Sequence, residues 1–131
     1  MRVFLDTNVW LAAVVFPGLC AELVIELDTR GHRLLSTRPV RTELRGVLER
    51  KFRRHAAALE RLDPLWACAE EVADVAEPAH DADARLVAAA RSAAAELFVT
   101  GDQRVLGWDT GSGMRLLSPR QAWEWVARAG A

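Results

Sequence analysis

A chain of 131 residues, of which 51% are hydrophobic and 27% charged, has the size and composition of one globular domain, which excludes a largely disordered protein. We therefore expect residues 1–131 to form a single domain. No apolar run approaches the roughly 18 residues of a membrane span, and Asp6 interrupts the apolar N-terminus, so we expect neither a membrane anchor nor a signal peptide.

The two cysteines, Cys20 and Cys68, share no spacing typical of a metal site with each other or with the three histidines. Isolated cysteines in such a chain are typical of reduced thiols in a cytoplasmic protein. Any metal ion would therefore be bound through oxygen atoms.

Apolar stretches with the periodicity of strands and helices alternate along the chain. The predicted strands are 2–6, 33–36, 71–77, 97–100 and 115–117. The predicted helices are 9–16, 19–29, 37–52, 55–69, 80–94 and 118–126. The last helix opens with Ser118, Pro119 and Gln121 in the spacing of a capping box. Strands that alternate with helices predict an α/β fold, with a mainly parallel sheet of about five strands and helices on both faces.

Four acidic residues fall where a predicted strand ends or a predicted helix begins. Asp6 and Asp102 follow the first and fourth strands, whereas Glu43 and Asp83 lie near the starts of two helices, at or beside their apolar stripes. In a parallel α/β sheet, strand ends and helix starts share one edge, where ligands bind. We therefore expect the four carboxylates to converge at that edge.

Carboxylates that are crowded together repel one another, which raises their pKa values unless a cation is present. An all-oxygen set without histidine or cysteine is the kind of site that Mg²⁺ or Mn²⁺ occupies. The sequence thus predicts that the metal ligands and catalytic residues are Asp6, Glu43, Asp83 and Asp102.

Each of these acids also has an ordinary structural explanation. Asp81 fits a helix N-cap, which is the interpretation we prefer for it, and Asp83 could be a first-turn acid. Asp102 could belong to a turn, and Glu43 could pair with Arg50 on the surface. A carboxylate at the end of a buried strand is the hardest to explain, because charged side chains are rarely buried without a partner. Together, the ordinary explanations do not account for four acids at one edge.

Basic residues are concentrated in the middle of the chain, although the formal net charge is only −1. Residues 30–61 hold ten arginines and lysines against three glutamates, whereas the flanking segments are net negative. Guanidinium groups form paired hydrogen bonds with phosphate oxygens, so this patch favours RNA binding. A solvated helix face is an equally good explanation, because runs of charge are weak evidence alone.

Within this patch, the side chains expected closest to the acids are those that share a helix face with Glu43, namely Arg50 and Arg54. Arg38 and Arg41 are the second candidates. Such arginines would follow an RNA backbone, which gives a salt-dependent affinity and little sequence selection.

Four short motifs contain the acids. They are Leu5-Asp6-Thr7-Asn8-Val9, the Thr-Glu-Leu around Glu43, the Asp81-Ala82-Asp83 opening of an alanine-rich helix, and Val99-Thr100-Gly101-Asp102. In this order and spacing, over a stretch from Arg2 to about Trp125, they resemble the PIN domain nucleases. The run from Glu43 to Phe52 resembles in particular the PIN-type toxins of bacterial toxin–antitoxin systems.

This resemblance implies a three-layer α/β/α sandwich of Rossmann-like or flavodoxin-like type, and an endoribonuclease that depends on one or two Mg²⁺ or Mn²⁺ ions. The acidic quartet would be Asp6, Glu43, Asp83 and Asp102. The supporting polar residues would be Asn8 and Thr100, with Asp81 as a helix cap beside them. The chain departs from relatives in two places: it has Gln103-Arg104-Val105 where a further acid is frequent, and Ala82 separates two acids that some relatives have adjacent.

The resemblance further implies RNA cleavage that leaves a 5′-phosphate and a 3′-hydroxyl, and a homodimer. For a toxin it also implies an antitoxin protein whose helix or arm enters the acidic cleft. Some members of this family process RNA without being toxins, so the resemblance implies nuclease chemistry more generally than it implies a toxin.

Two other classes of function remain open. An aspartate-nucleophile phosphatase could use a strand that ends in Asp6-Thr7, but it needs a second acid where this chain has Asn8, and a lysine near the phosphate. Lys51 is the only lysine of the chain. Alternatively, a non-catalytic RNA-binding or regulatory module could retain the fold without activity.

Overall fold

Five short strands form one sheet in the computed structural model, which describes residues 1–129. The strands are β1 (Arg2–Leu5), β2 (Arg33–Ser36), β3 (Ala69–Glu71), β4 (Leu97–Val99) and β5 (Arg115–Leu117). They lie in the order β3-β2-β1-β4-β5, and every neighbouring pair is parallel.

Seven helices accompany this sheet within residues 1–129. They are α1 (Thr7–Val15), α2 (Leu19–Thr29), α3 (Arg38–Lys51), α4 (Ala56–Trp66), α5 (Ala82–Ser92), α6 (Gln103–Leu106) and α7 (Pro119–Ala129). Because crossovers between parallel strands are right-handed, connections that run in opposite directions across the sheet place their helices on opposite faces. The architecture is therefore the predicted α/β/α sandwich, with a sheet that is entirely parallel.

The described helices were also compared with the requirements of a membrane span. No single helix among residues 1–129 is long and apolar enough to cross a membrane, whereas α1 and α2 reach that length and composition only as a pair with a 104° bend between them.

The centre of the sheet is the most buried part of the fold. Val3, Phe4 and Leu5 of β1 have no solvent exposure, and the ring of Phe4 stacks on that of Phe98 in β4 at a centroid distance of 5.3 Å. On α1, the indole of Trp10 lies 5.1 Å from that of Trp66 at the end of α4. Burial of these large apolar side chains is the main stabilising contribution to such a fold.

The strand order changes direction beside β1, and this change places the site. The chain passes from β1 outwards to β2 and β3, then crosses back to β4 on the other side of β1. In doubly wound sheets, the crevice at the carboxyl end of such a switch point is where ligands bind. Leu5 lies opposite Val99, so the residues that follow β1 and β4, Asp6 and Thr100, are neighbours.

Two sequence predictions about the elements are wrong. The third strand is Ala69–Glu71 rather than 71–77, because the edge of the sheet pairs for only three residues, and two of those are glutamates without strand-like apolar alternation. The helix that contains Glu43 ends at Lys51, so Arg54 lies in the turn before α4 and does not share a helix face with Glu43. The short helix α6 was not predicted, because four residues are too few to show a periodicity.

The remaining boundaries are close to the predicted ones, and the capping box at the start of α7 is confirmed. The hydroxyl of Ser118 accepts a hydrogen bond from the amide of Gln121 (3.1 Å), and the side chain of Gln121 accepts one from the amide of Ser118 (2.9 Å).

Candidate active site

Asp6 lies at the carboxyl end of β1 with only 4% of its surface exposed. Its carboxylate caps α1 by accepting a hydrogen bond from the amide of Thr7 at 2.8 Å. The other carboxylate oxygen accepts one from the hydroxyl of Thr100 at 2.7 Å and one from the amide side chain of Asn8 at 3.1 Å. The buried charge is thus held in one orientation by three donors, as the burial of a carboxylate requires.

Asn8 and Thr100 join the ends of β1 and β4 into one network. The carbonyl oxygen of the Asn8 side chain accepts a hydrogen bond from the amide of Gly101 (2.9 Å), and its NH₂ group also donates to the Thr100 hydroxyl (3.3 Å). That hydroxyl accepts a further bond from the amide of Asp102 at 3.0 Å. Both residues that the sequence predicted as supporting groups therefore contact Asp6 directly.

Glu43 and Asp83 line the same cavity as Asp6. The cavity has a volume of about 210 Å³, and its walls come from the starts of α1 and α5 and from α3, including Leu11, Val47 and Leu86. The hydroxyl of Thr7 lies 3.5 Å from the carboxylate of Glu43, which ties α1 to α3. Three of the four predicted acids thus arrive at one place, although α1, α3 and α5 are far apart in the chain.

The environment of Asp6 raises the pKa of its carboxyl group above the usual value. Burial is the main cause, because loss of water disfavours the charged form. Hydrogen bonds from Thr100 and from the amide of Thr7 act in the opposite direction, and the nearby charges of Asp83 and Glu43 raise the pKa further. Glu43 and Asp83 line the same cavity as Asp6, so three like charges are gathered there.

Asp102 differs from the other three acids. It is absent from the residues that line the cavity, and its carboxylate caps α6 by accepting a hydrogen bond from the amide of Arg104 at 2.9 Å. Its backbone amide, not its carboxylate, donates to the hydroxyl of Thr100, which in turn donates to Asp6. Asp81 is the N-cap of α5, with its carboxylate accepting from the amide of Ala84 at 3.1 Å.

The cavity fits a divalent cation in its donor chemistry. Its three carboxylates are the hard oxygen ligands that Mg²⁺ and Mn²⁺ prefer, and Oδ1 of Asp6, which accepts one hydrogen bond, has a second lone pair to offer. Among residues 1–129, however, no three acidic, histidine or cysteine side chains are close enough to form a ready-made metal-binding group. The ligand types are therefore in place, but their oxygens are not gathered around one point.

Two residues at this site were not predicted from the sequence, and the first is Arg104. One of its guanidinium nitrogens lies 2.5 Å from a carboxylate oxygen of Asp83, which bridges α6 to α5. The guanidinium also lies 5.1 Å from the ring centre of Trp108. Its position in the sequence could have indicated it, because Arg104 lies in the segment where relatives frequently have a further acid. Thr7 was also missed, although its place beside Asp6 could have indicated it.

The arginines of α3 occupy two flanks of that helix. Arg38, Arg41 and Arg45 line a groove of about 600 Å³, and Arg41 and Arg45 both pair with Asp63 of α4 at 3.2 and 3.3 Å. At 3.6 residues per turn, this groove faces about 140–160° away from Glu43 around the helix. Arg50, two turns after Glu43, is the one predicted arginine on its face.

Replacing Thr100 by valine removes the hydroxyl that holds Asp6 while keeping the shape of the side chain. We expect Thr100→Val to lower the free energy of unfolding by about 1–3 kcal/mol at neutral pH, because a buried carboxylate oxygen loses a donor. The pKa of Asp6, followed by ¹³C NMR, should rise further. Thr100→Ser keeps the hydroxyl and is the matched control. Equal stability of the two variants would contradict this role.

The raised pKa of Asp6 predicts the sign of a pH effect on stability. Because the folded state holds the Asp6 proton more tightly than the unfolded state, the wild-type protein loses stability as the pH rises through and above the unfolded pKa. In EDTA, Asp6→Asn should therefore gain stability relative to wild type as the pH rises above the unfolded pKa of an aspartate, about 4. Urea denaturation at each pH measures this difference, and a difference that does not change with pH refutes the prediction.

Comparison with known proteins agrees with this geometry. A family model described as the PIN domain matches residues 2–104, which include all four predicted acids. No curated protein and no solved structure gives a significant match. PIN domains are generally nucleases. The chain therefore belongs to the PIN domain family.

Proposed function

We propose that this protein is a metal-dependent endoribonuclease that hydrolyses RNA phosphodiester bonds. The observation that carries the proposal is the meeting of Asp6, Glu43 and Asp83 in one cavity at the switch point of the sheet. Membership of the PIN domain family supports nuclease chemistry, and the all-oxygen ligand set supports Mg²⁺ or Mn²⁺.

Asp6, Glu43 and Asp83 would hold the cation, and Asp102 would act at the margin of the site. When bound, a divalent cation lowers the pKa of water and stabilises the negative charge that develops on the phosphate. The protein's own part is positioning: Thr7, Asn8 and Thr100 fix the carboxylate of Asp6, whose burial keeps it away from bulk water.

RNA would reach the acidic cavity along α3. Arg50 is the first candidate for a phosphate contact, because it is exposed and lies on the same helix face as Glu43. Arg38 and Arg41 open onto the opposite flank of α3, and Asp63 neutralises part of that groove. We therefore assign them a secondary role, and Arg54 only a contribution to the overall positive charge of this region.

We further propose that the nuclease is the toxin of a cytoplasmic toxin–antitoxin pair and forms a homodimer. The likeness of the Glu43–Phe52 segment to PIN-type toxins supports the toxin and the homodimer, and the free cysteines Cys20 and Cys68 support the cytoplasmic location. An antitoxin that inhibits the enzyme would carry a basic side chain complementary to the acidic cavity. Co-purification of an inhibitor protein from the native host tests this extension.

The phosphatase alternative is disfavoured by the place of the only lysine. Lys51 is the last residue of α3, whereas Glu43, which lines the cavity, lies two turns earlier. At 3.6 residues per turn, Lys51 lies about 80° around the helix from Glu43, whereas Arg50 lies on the same face as Glu43. Asn8, which stands where that chemistry needs an acid, is engaged with Gly101 and Asp6.

Removing one carboxylate of the cavity should abolish RNA cleavage. With Mn²⁺ and end-labelled structured and single-stranded RNA, we expect Asp6→Asn, Glu43→Gln and Asp83→Asn each to cut at least about a hundredfold more slowly than wild type. Glu96→Gln is the control, because Glu96 precedes β4 at the opposite edge of the sheet. Undiminished cleavage by Asp6→Asn would attribute the activity to a contaminant, and inactivity of the wild type would favour a non-catalytic RNA-binding module.

Binding of the cation should also be visible without RNA. Because a ligand that binds only the folded state stabilises it by an amount that grows with the logarithm of its concentration, Mn²⁺ should raise the melting temperature of the wild-type protein and of Glu96→Gln. The increase should be absent or much smaller in Asp6→Asn. Scanning fluorimetry at constant ionic strength measures the shift, and an equal shift in Asp6→Asn would place the cation elsewhere.

A further inference from the structure

Arg104 forms the only salt bridge that a predicted acid of the cavity makes within residues 1–129. Its guanidinium lies 2.5 Å from Asp83, on the α5 side of the cavity, whereas no arginine of α3 lines the cavity. The side chains of Arg104 and Asp83 are 58% and 35% exposed. The contact is therefore open to exchange with solutes.

We propose that Arg104 is a phosphate-binding residue of this site, held on Asp83 until a divalent cation takes its place. This inference rests on the proposed nuclease function and names a further residue for it. A guanidinium and a divalent cation compete for the same carboxylate oxygen, since each is attracted by its negative charge. With a cation bound to Asp83, the guanidinium fork of Arg104 would be free to bind a phosphate.

Two contacts keep the freed side chain at the site. The amide of Arg104 donates to Asp102, which fixes the residue at the start of α6, and the ring of Trp108 lies 5.1 Å from its guanidinium. Attraction between a guanidinium and an indole face holds the fork at the rim of the cavity. Planar guanidinium groups bind phosphate oxygens in pairs, so an RNA phosphate is the ligand whose chemistry fits.

The geometry of α3 makes this contribution necessary. Arg38, Arg41 and Arg45 face the other flank of their helix, and Arg54 lies beyond its end. Apart from Arg50, no predicted arginine shares a helix face with Glu43. On the α5 side, the guanidinium of Arg85 is paired with Asp74, whereas that of Arg104 is paired with Asp83 of the cavity itself.

The first measurement is the affinity for Mn²⁺ alone, with free Mn²⁺ counted by electron paramagnetic resonance. We expect Arg104→Gln to bind Mn²⁺ about two- to fivefold more tightly than wild type, because exposed ion pairs of this kind are weak competitors. Arg85→Gln is the matched control. It removes the same charge from α5 two residues after Asp83, but the Arg85 guanidinium pairs with Asp74. Its Mn²⁺ affinity should rise less.

The second measurement is the affinity for RNA in saturating Mn²⁺, by fluorescence anisotropy with a labelled 2′-O-methyl oligoribonucleotide that resists cleavage. Arg104→Gln should bind about three- to tenfold more weakly, and the slope of log affinity against log salt should fall by about 0.7. Arg104→Lys, which keeps the charge without the planar fork, should be intermediate. Arg85→Gln should bind like wild type. Thermal denaturation of each variant verifies folding.

The two measurements distinguish failure of the role proposed for Arg104 from failure of the proposed nuclease function. Tighter Mn²⁺ binding together with weaker RNA binding in Arg104→Gln supports the proposal. Unchanged Mn²⁺ affinity, or unchanged RNA affinity, overturns it and leaves the nuclease proposal standing. Failure of the wild type and every variant to bind Mn²⁺ overturns both.

Discussion

The hydrogen bond from Thr100 to Asp6 joins β1 to β4 at the point where the connections of the sheet reverse, and the organisation of the site follows from it. A carboxylate that is 4% exposed is stable there only because Thr7, Asn8 and Thr100 all donate to it. The neighbouring end of β2 shows that such pairing is not automatic. The hydroxyls of Ser36 and Thr37 are completely buried there and have no hydrogen-bond partner within the described chain.

Much of this arrangement could be predicted because it follows from local rules. A buried strand that ends in an acid specifies where Asp6 lies, and parallel pairing then brings Thr100 beside it. The positions of Glu43 and Asp83 could be predicted from helical periodicity, since a residue at or beside an apolar stripe lies on or next to the packed face of its helix. These predictions concern direction only. They could not give distances, and that is why Asp102 was grouped with acids whose cavity it does not line.

The errors have the same physical origin. β3 is an edge strand of three residues with two exposed glutamates, so its pairing is decided by contact with β2 and not by its own periodicity. Arg54 was placed on the face of Glu43 by extending the helical spacing beyond the end of the helix, which lies at Lys51. Arg104 was overlooked because its significance lies in a contact between α5 and α6, and a pairing between two elements leaves no signal in the spacing of residues along either one.

Helix α3 shows how one element can serve two surfaces of opposite charge. Its buried residues Val40, Leu44 and Leu48 form a stripe, with Glu43 on one flank and three arginines on the other. This separation prevents the arginines from neutralising Glu43. A neutralised Glu43 would not attract a cation. It also removes them from the cavity where a phosphate would sit. Positive charge close to the acids must then come from a different element. Arg104 of α6 meets this need, and because its ion pair with Asp83 is exposed, it can also leave that acid free to bind a cation.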